Sequence, residues 1–211
     1  TLMRLLSGTG LPDAIQVEGT VSRSSTPGYL PQDPREVDPD QIVRDHILSV
    51  RGLDVIEARI RKAEEAMSRE TGEKQQKAME KYVRLDQEFH MSGGYAAASE
   101  AAQIAANLGI SNETLRQSLG TLSGGQRRRV ELARVLFSGA DTLLLDEPTN
   151  HLDHDSIVWL RSYLRSFPGG VLIISHNVKL LDETLNQVLY LDAMRGALDV
   201  YHMGWKAYLQ A

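Results

Sequence analysis

The chain has 211 residues, of which 42% are hydrophobic and 24% charged, with a formal net charge of -5. That length suits one sizeable domain, or a core with a smaller subdomain, and no apolar run approaches the roughly 18 residues needed to cross a bilayer. Zero cysteines exclude disulfides and thiolate metal sites. The acidic balance argues against a broadly basic nucleic-acid-binding surface, while leaving room for a local contact with RNA.

Thr1 to Leu6 is apolar at helical spacing and stops at Ser7-Gly8, so the chain opens inside a helix. Val17 to Arg23 is expected as a strand, and Pro27-Gly28 turns into the short apolar piece Tyr29-Leu30-Pro31-Gln32. Residues 33–40 are rich in Pro and Asp and mark a loop at a subdomain boundary. A helix is expected from Gln41 to Val50.

Residues 51–90 differ in character, with nine basic and nine acidic side chains. Apolar residues follow heptad spacing in two runs, first Leu53, Ile56, Ile60, Ala63 and Met67, then Ala78, Tyr82, Leu85 and Phe89. Thr71-Gly72 lies between them. The pattern predicts an antiparallel helical hairpin with a narrow apolar seam and a solvated exterior. Gly93-Gly94 ends it, and an alanine-rich helix follows from about Ala96 to Leu108.

From Thr121 on, helix and strand alternate. Helices are expected over Gly124–Phe137, His154–Phe167 and Val178–Leu185, and strands over Thr142–Leu145 and Val171–Ile174. The strands are short runs of Leu, Val and Ile without alternation, which reads as a parallel sheet buried on both faces. Gln187–Leu191 and Leu198–Tyr201 give two further strands, and the fold class is α/β.

Two segments carry chemistry. Ser123-Gly124-Gly125-Gln126 stands where a helix begins, where glycines permit close backbone approach and free amides attract an anion. The plainer alternative is an ordinary helix start with Ser123 as N-cap. Leu143-Leu144-Leu145 then delivers two adjacent carboxylates, Asp146 and Glu147, to the C-terminal edge of a sheet, where α/β folds bind ligands.

The full run from LSGGQ at Leu122 to DEPTNHLD ending at Asp153 resembles the ATP-binding cassette superfamily, and DEPTNHLD resembles its ribosome-associated ABC-F branch. The resemblance implies a P-loop NTPase-like core over residues 1–32 and 121–211. A helical subdomain would span 33–120, carrying an arm-like hairpin at about 51–92. It implies ATP and Mg²⁺ as ligands. Asp146 would hold Mg²⁺ through its water shell and Glu147 would act as general base. Gln32, in GYLPQ, matches the loop that reaches Mg²⁺ and the water, His176 the switch histidine, and Asp153 the loop that relays between two sites. Ser123, Gly124, Gly125 and Gln126 would complete the ATP site of a partner cassette.

Two departures qualify this. ABC-F members commonly continue the switch histidine with Asp-Arg, whereas Asn177-Val178 stands here. No G-x-x-x-x-G-K-[ST] occurs in the chain; Thr1-Leu2 resembles the tail of such a P-loop, with Thr1 in the ATP-binding set. The phosphate-gripping Lys and an adenine-stacking aromatic residue would lie upstream. The chain is therefore expected to be a fragment that binds ATP poorly as written.

The three consecutive arginines Arg127, Arg128 and Arg129 point about 100° apart on a helix and cannot form one RNA patch, so they are expected as solvated or interface side chains. The closing YHMGWKAYLQA resembles the element that ends the first ABC-F cassette, with Gly204, Trp205, Tyr208 and Leu209 matching it. The resemblance implies a cytoplasmic protein whose second cassette lies in the same polypeptide and whose partner is the ribosome, rRNA and tRNA near the exit site. Its role would be translation regulation or protection from antibiotics, with no membrane insertion. The alternative is the ATPase subunit of a membrane transporter. Chromosome-maintenance ATPases rank last because their coiled coils are far longer than this hairpin.

Overall fold

A computed structural model describes residues 2–11, 17–32 and 37–210. In chain order its elements are α1 (Leu2–Ser7), β1 (Gly28–Leu30), α2 (Val43–Ser49), α3 (Asp54–Arg69), α4 (Glu73–Met91), α5 (Gly94–Asn107), α6 (Gly124–Phe137), β2 (Thr142–Asp146), α7 (His154–Ser166), β3 (Gly170–Ile174), α8 (Val178–Thr184), β4 (Val188–Asp192), β5 (Ala197–Tyr201) and α9 (Trp205–Tyr208). Two short 3₁₀ turns, Thr114–Arg116 and Leu119–Thr121, precede α6. The chain divides into two compact units, Thr1–Gln32 with Asp141–Ala211, and Asp33–Ala140.

The first unit is built on a parallel sheet in the order β1-β2-β3. Central β2 has Leu143, Leu144 and Leu145 all buried, which is why its sequence is continuously apolar rather than alternating. Burying such a leucine contributes about 2–3 kcal/mol. Strand β3 departs from the expectation of burial on both faces: Val171 to Ile173 are half-buried and Ile174 is exposed. It lies at the edge of the three-stranded sheet, so only one side has a neighbour. The final two strands form a separate antiparallel hairpin, pairing Leu189 with Val200 and Leu191 with Leu198. Its turn is closed by Asp192, whose carboxylate accepts from the amides of Met194 and Arg195.

The strand expected over Val17–Arg23 is absent. Gly19 sits at φ 107°, which breaks an extended run. Arg23 instead donates through Nε to the Leu6 carbonyl at 2.7 Å and through its guanidinium to that of Leu5. It thereby satisfies the orphan carbonyls at the end of α1, where a cation is also favoured by the helix dipole.

The second unit is helical. Helices α3 and α4 form the expected hairpin, with Gly72 at φ 61° making the reversal that an L side chain resists. Ala63, Ala78, Leu85 and Phe89 bury the narrow seam and base, while ion pairs such as Lys77–Glu73 coat the outside. A Cβ on Gly94 would fall 2.4 Å from the Phe89 ring, so the close turn from α4 into α5 requires glycine. Among the described residues no helix is long and apolar enough to cross a membrane.

Residues 121–140 were expected with the α/β core, but α6 packs on α2 and α5 and groups with the helical unit. A buried polar network joins α6 to α2. His46 Nε2 lies 2.5 Å from Glu131 Oε1 and Nδ1 lies 3.0 Å from Gln41 Oε1. Both His46 and Glu131 are over nine-tenths buried. The three arginines diverge as helix geometry requires, but Arg128 is buried and half-buried Arg129 donates to the Gly109 carbonyl. Only Arg127 is exposed as expected.

Candidate nucleotide site

Strand register builds the first part of the site. Leu30 of β1 pairs with Leu145, and Ile174 of β3 pairs with Asp146, so the three strands end together. Gln32, Asp146, Glu147 and His176 follow these ends and share one sheet edge. This is the edge where parallel α/β sheets expose backbone and side chains to ligands.

Glu147 is the most constrained of them. Its backbone adopts φ 47°, a left-handed conformation that costs a non-glycine residue about 1–3 kcal/mol. The strain is held by its amide, which donates to the Ile174 carbonyl at 2.8 Å. The turn thus directs the carboxyl toward the β3 end, where Oε2 accepts from the His176 amide at 3.3 Å. The His176 ring stands over the other oxygen, with Nε2 3.3 Å from Oε1. That approach lacks hydrogen-bond geometry, so Oε1 is buried without a hydrogen-bond partner. A buried acceptor left unmatched is costly unless something outside the chain completes it.

The His176 side chain is 98% exposed while that of Glu147 is only 11% exposed. A histidine serving the core would be buried; this one is not. Its contact with Glu147 is screened by water and contributes little to stability, so the ring is free to re-aim. Gln32 lies exposed at the same edge and makes no hydrogen bond to Glu147 or His176. The structure therefore brings Glu147 and His176 into contact, adjoining Asp146, with Gln32 nearby in topology only. Thr1 lies outside the described residues.

Asp153 and Asn177 are helix caps. The Asp153 carboxylate accepts from the Ser156 amide at 2.8 Å at the start of α7. Asn177 Oδ1 accepts from the Leu180 amide at 3.0 Å at the start of α8. The departure from Asp to Asn after the switch position thus preserves the local bond, because both side chains present an oxygen at the same reach. The sequence signal was available: Asn immediately before an apolar helix is a cap pattern.

No set of three His, Asp or Glu side chains converges to cage a metal among the described residues. An edge offering one or two carboxylates fits Mg²⁺, which keeps much of its water and takes other ligands from a polyphosphate.

The glycine-rich segment belongs to the helical unit. Ser123 and Gln126 form a complete capping box: the Gln126 amide donates to Ser123 Oγ at 3.3 Å, and the Ser123 amide donates to Gln126 Oε1 at 2.9 Å. The N-cap alternative is thus realised, and it leaves the Ser123 hydroxyl proton available. A Cβ built on Gly124 would meet nothing within 4 Å. Among the described residues, therefore, no packing contact demands glycine there.

The chain belongs to the ABC transporter family, whose sequence profile matches residues 1–150. Within it, its relatives place it with the ABC-F ATP-binding cassettes. Over its whole length it is 38% identical to the tylosin resistance ATP-binding protein TlrC of Streptomyces fradiae, and spans 38% of that protein. It is 31% identical to the energy-dependent translational throttle protein EttA of Mycobacterium tuberculosis, of which it spans 36%. Among solved structures, the RNase-L inhibitor matches 99% of the chain with a TM-score of 0.59 at 19% identity, the chain covering 33% of it. An inward-facing metal-chelate type ABC transporter matches 95% with a TM-score of 0.54 at 20% identity, the chain covering 66% of it. These two establish the fold.

Proposed function

We propose that the chain is the first nucleotide-binding domain of an ABC-F ATPase that binds the ribosome when loaded with ATP and leaves it on hydrolysis. The observation that carries this reading is the pairing of strained, buried Glu147 with exposed His176 at the sheet edge. Glu147 is the general base: its unmatched Oε1 is the acceptor for the attacking water, and burial keeps that contact undiluted by solvent. His176 holds the carboxylate through its amide and swings its ring toward the terminal phosphate. Asp146 and Gln32 would hold Mg²⁺, which would supply neutralisation of the phosphate charge. Ser123, Gly124, Gly125 and Gln126 present the α6 N-terminus to a phosphate held by a second cassette of the same polypeptide, and Asp153 adjoins that interface.

The ribosome reading is supported by the names of the relatives, one a translational throttle and one an antibiotic-resistance protein, and by the long charged hairpin α3–α4. On this reading the protein is cytoplasmic, and the hairpin is the arm that meets rRNA and tRNA near the exit site. The test is Glu147→Gln in the full-length protein. Turnover should fall at least about a hundred-fold with ATP retained, and ATP-dependent co-sedimentation with ribosomes should rise sharply. Persistent hydrolysis would remove Glu147 from the base role, and no ribosome association would sink the ABC-F assignment.

A further inference from the structure

The helical unit contains a concavity that the nucleotide chemistry does not use. It has a volume of about 280 Å³ and lies where α2, α5 and the Thr114–Arg116 turn meet. It exists because α5 presents Ala98, Ala101 and Ala102 on one face, where larger side chains would fill the space. Buried Ile47 and Leu115 complete an apolar floor. The rim is of another kind: Arg44, Tyr95, Ser99, Asn112 and Arg116.

Tyr95 forms a fixed wall. The residue is 49% exposed, its ring packs edge-on against Phe89 with centroids 5.0 Å apart, and its hydroxyl donates to Asp86. Arg44 gives one guanidinium nitrogen to Glu57 and retains its other donors. The Arg116 side chain has no hydrogen bond or ion pair among the described residues.

We propose that this pocket on the helical unit takes one unstacked nucleotide of single-stranded RNA, with its base beside Tyr95 and its flanking phosphates on Arg44 and Arg116. Three planar groups, one ring and two guanidiniums, surround a floor of small apolar side chains. Flat surfaces of that kind suit a base better than a branched peptide side chain. The volume lies at the lower end for ligand pockets and admits one planar group. Asn112 and Ser99 supply donors and acceptors for a base edge or a 2′-hydroxyl. The overall charge of -5 limits RNA contact to local features, and this pocket is a local feature that combines two cations with an aromatic ring.

The inference rests on the ribosome reading for its physiological partner, but its test needs neither ATP nor ribosomes, so the two can fail separately. Binding of short fluorescein-labelled oligouridine and oligoadenine RNAs to the chain is followed by anisotropy across a salt series. Two phosphate contacts predict a slope of log K on log salt of about -1.4, and Arg116→Gln should lessen it by about 0.7. Tyr95→Ala should weaken binding roughly five- to a hundred-fold. Ala98→Phe, which fills the pocket without changing charge, should abolish it, with circular dichroism confirming that each variant is folded.

Lys74→Gln, about 25 Å away along α4, is the control. An equal loss on Lys74→Gln would mean diffuse electrostatic attraction and would overturn the site. So would displacement of the RNA by oligoglutamate as readily as by unlabelled RNA, which would mark an acidic-protein site. Absence of measurable binding overturns it outright.

Discussion

Ser123 offers a way to separate a structural role from a ligand role at one atom. Its Oγ accepts the Gln126 amide at 3.3 Å, a long bond at an exposed helix end, while the reciprocal bond is 2.9 Å. Removing a serine cap costs about 0.5–2 kcal/mol. The long geometry, with water free to take over the orphan amide, places Ser123→Ala near the lower half of that range, at about 1 kcal/mol. If the helical unit of roughly 100 residues melts by itself, the midpoint should fall about 4–8 °C; if the chain melts as one body, about 2–4 °C. Ser123→Asn keeps a capping oxygen and should leave the midpoint within a degree or so of the parent. It nevertheless replaces the hydroxyl, and ATPase activity of the full-length protein should drop in both variants. Calorimetry and phosphate release read the two effects side by side. Equal destabilisation by Asn and Ala would refute the capping account, and full activity in Ser123→Asn would refute the hydroxyl's part at the phosphate.

Two more perturbations probe the caps and the hairpin. Asn177→Ala should cost about 1 kcal/mol in chemical denaturation, whereas Asn177→Asp should be neutral or stabilising by about 0.3–1 kcal/mol through the helix dipole; a loss with Asp would mean that the Leu180 bond is not the determinant. Because Leu85 and Phe89 are buried at the base of the hairpin, excising residues 52–91 should unfold the helical unit. Removing only 64–77 and closing Ala63 to Ala78 with a short glycine turn should preserve the helical signal and weaken ribosome co-sedimentation. Unchanged co-sedimentation would leave the hairpin without a role in that contact.

Much of the fold was legible because the local signals are strong. Ser123 with Gln126 three residues on marks the start of α6, and the helix runs over Gly124–Phe137 as its periodicity indicates. The two heptad runs parted by Thr71-Gly72 give the hairpin, since a narrow seam has few other ways to be buried. Val17–Arg23 misled, because its β-branched residues suggest a strand while Gly19 and the demand of the α1 carbonyls for Arg23 decide otherwise. The burial of Arg128 and the His46–Glu131 pair had no signal in spacing, since each depends on residues distant in sequence meeting in space.

Sequence by itself determined which residue types stand where chemistry needs them: paired carboxylates after an apolar strand, glycines at a helix start, a histidine after a second strand. Tertiary structure alone decided how those groups face one another. Parallel register carries the ends of β2 and β3 to one edge, and a left-handed turn at Glu147 buries its carboxyl beneath an exposed His176. Such geometry is set by strand pairing and backbone strain between segments some thirty residues apart, and neither is written in any local stretch of the chain.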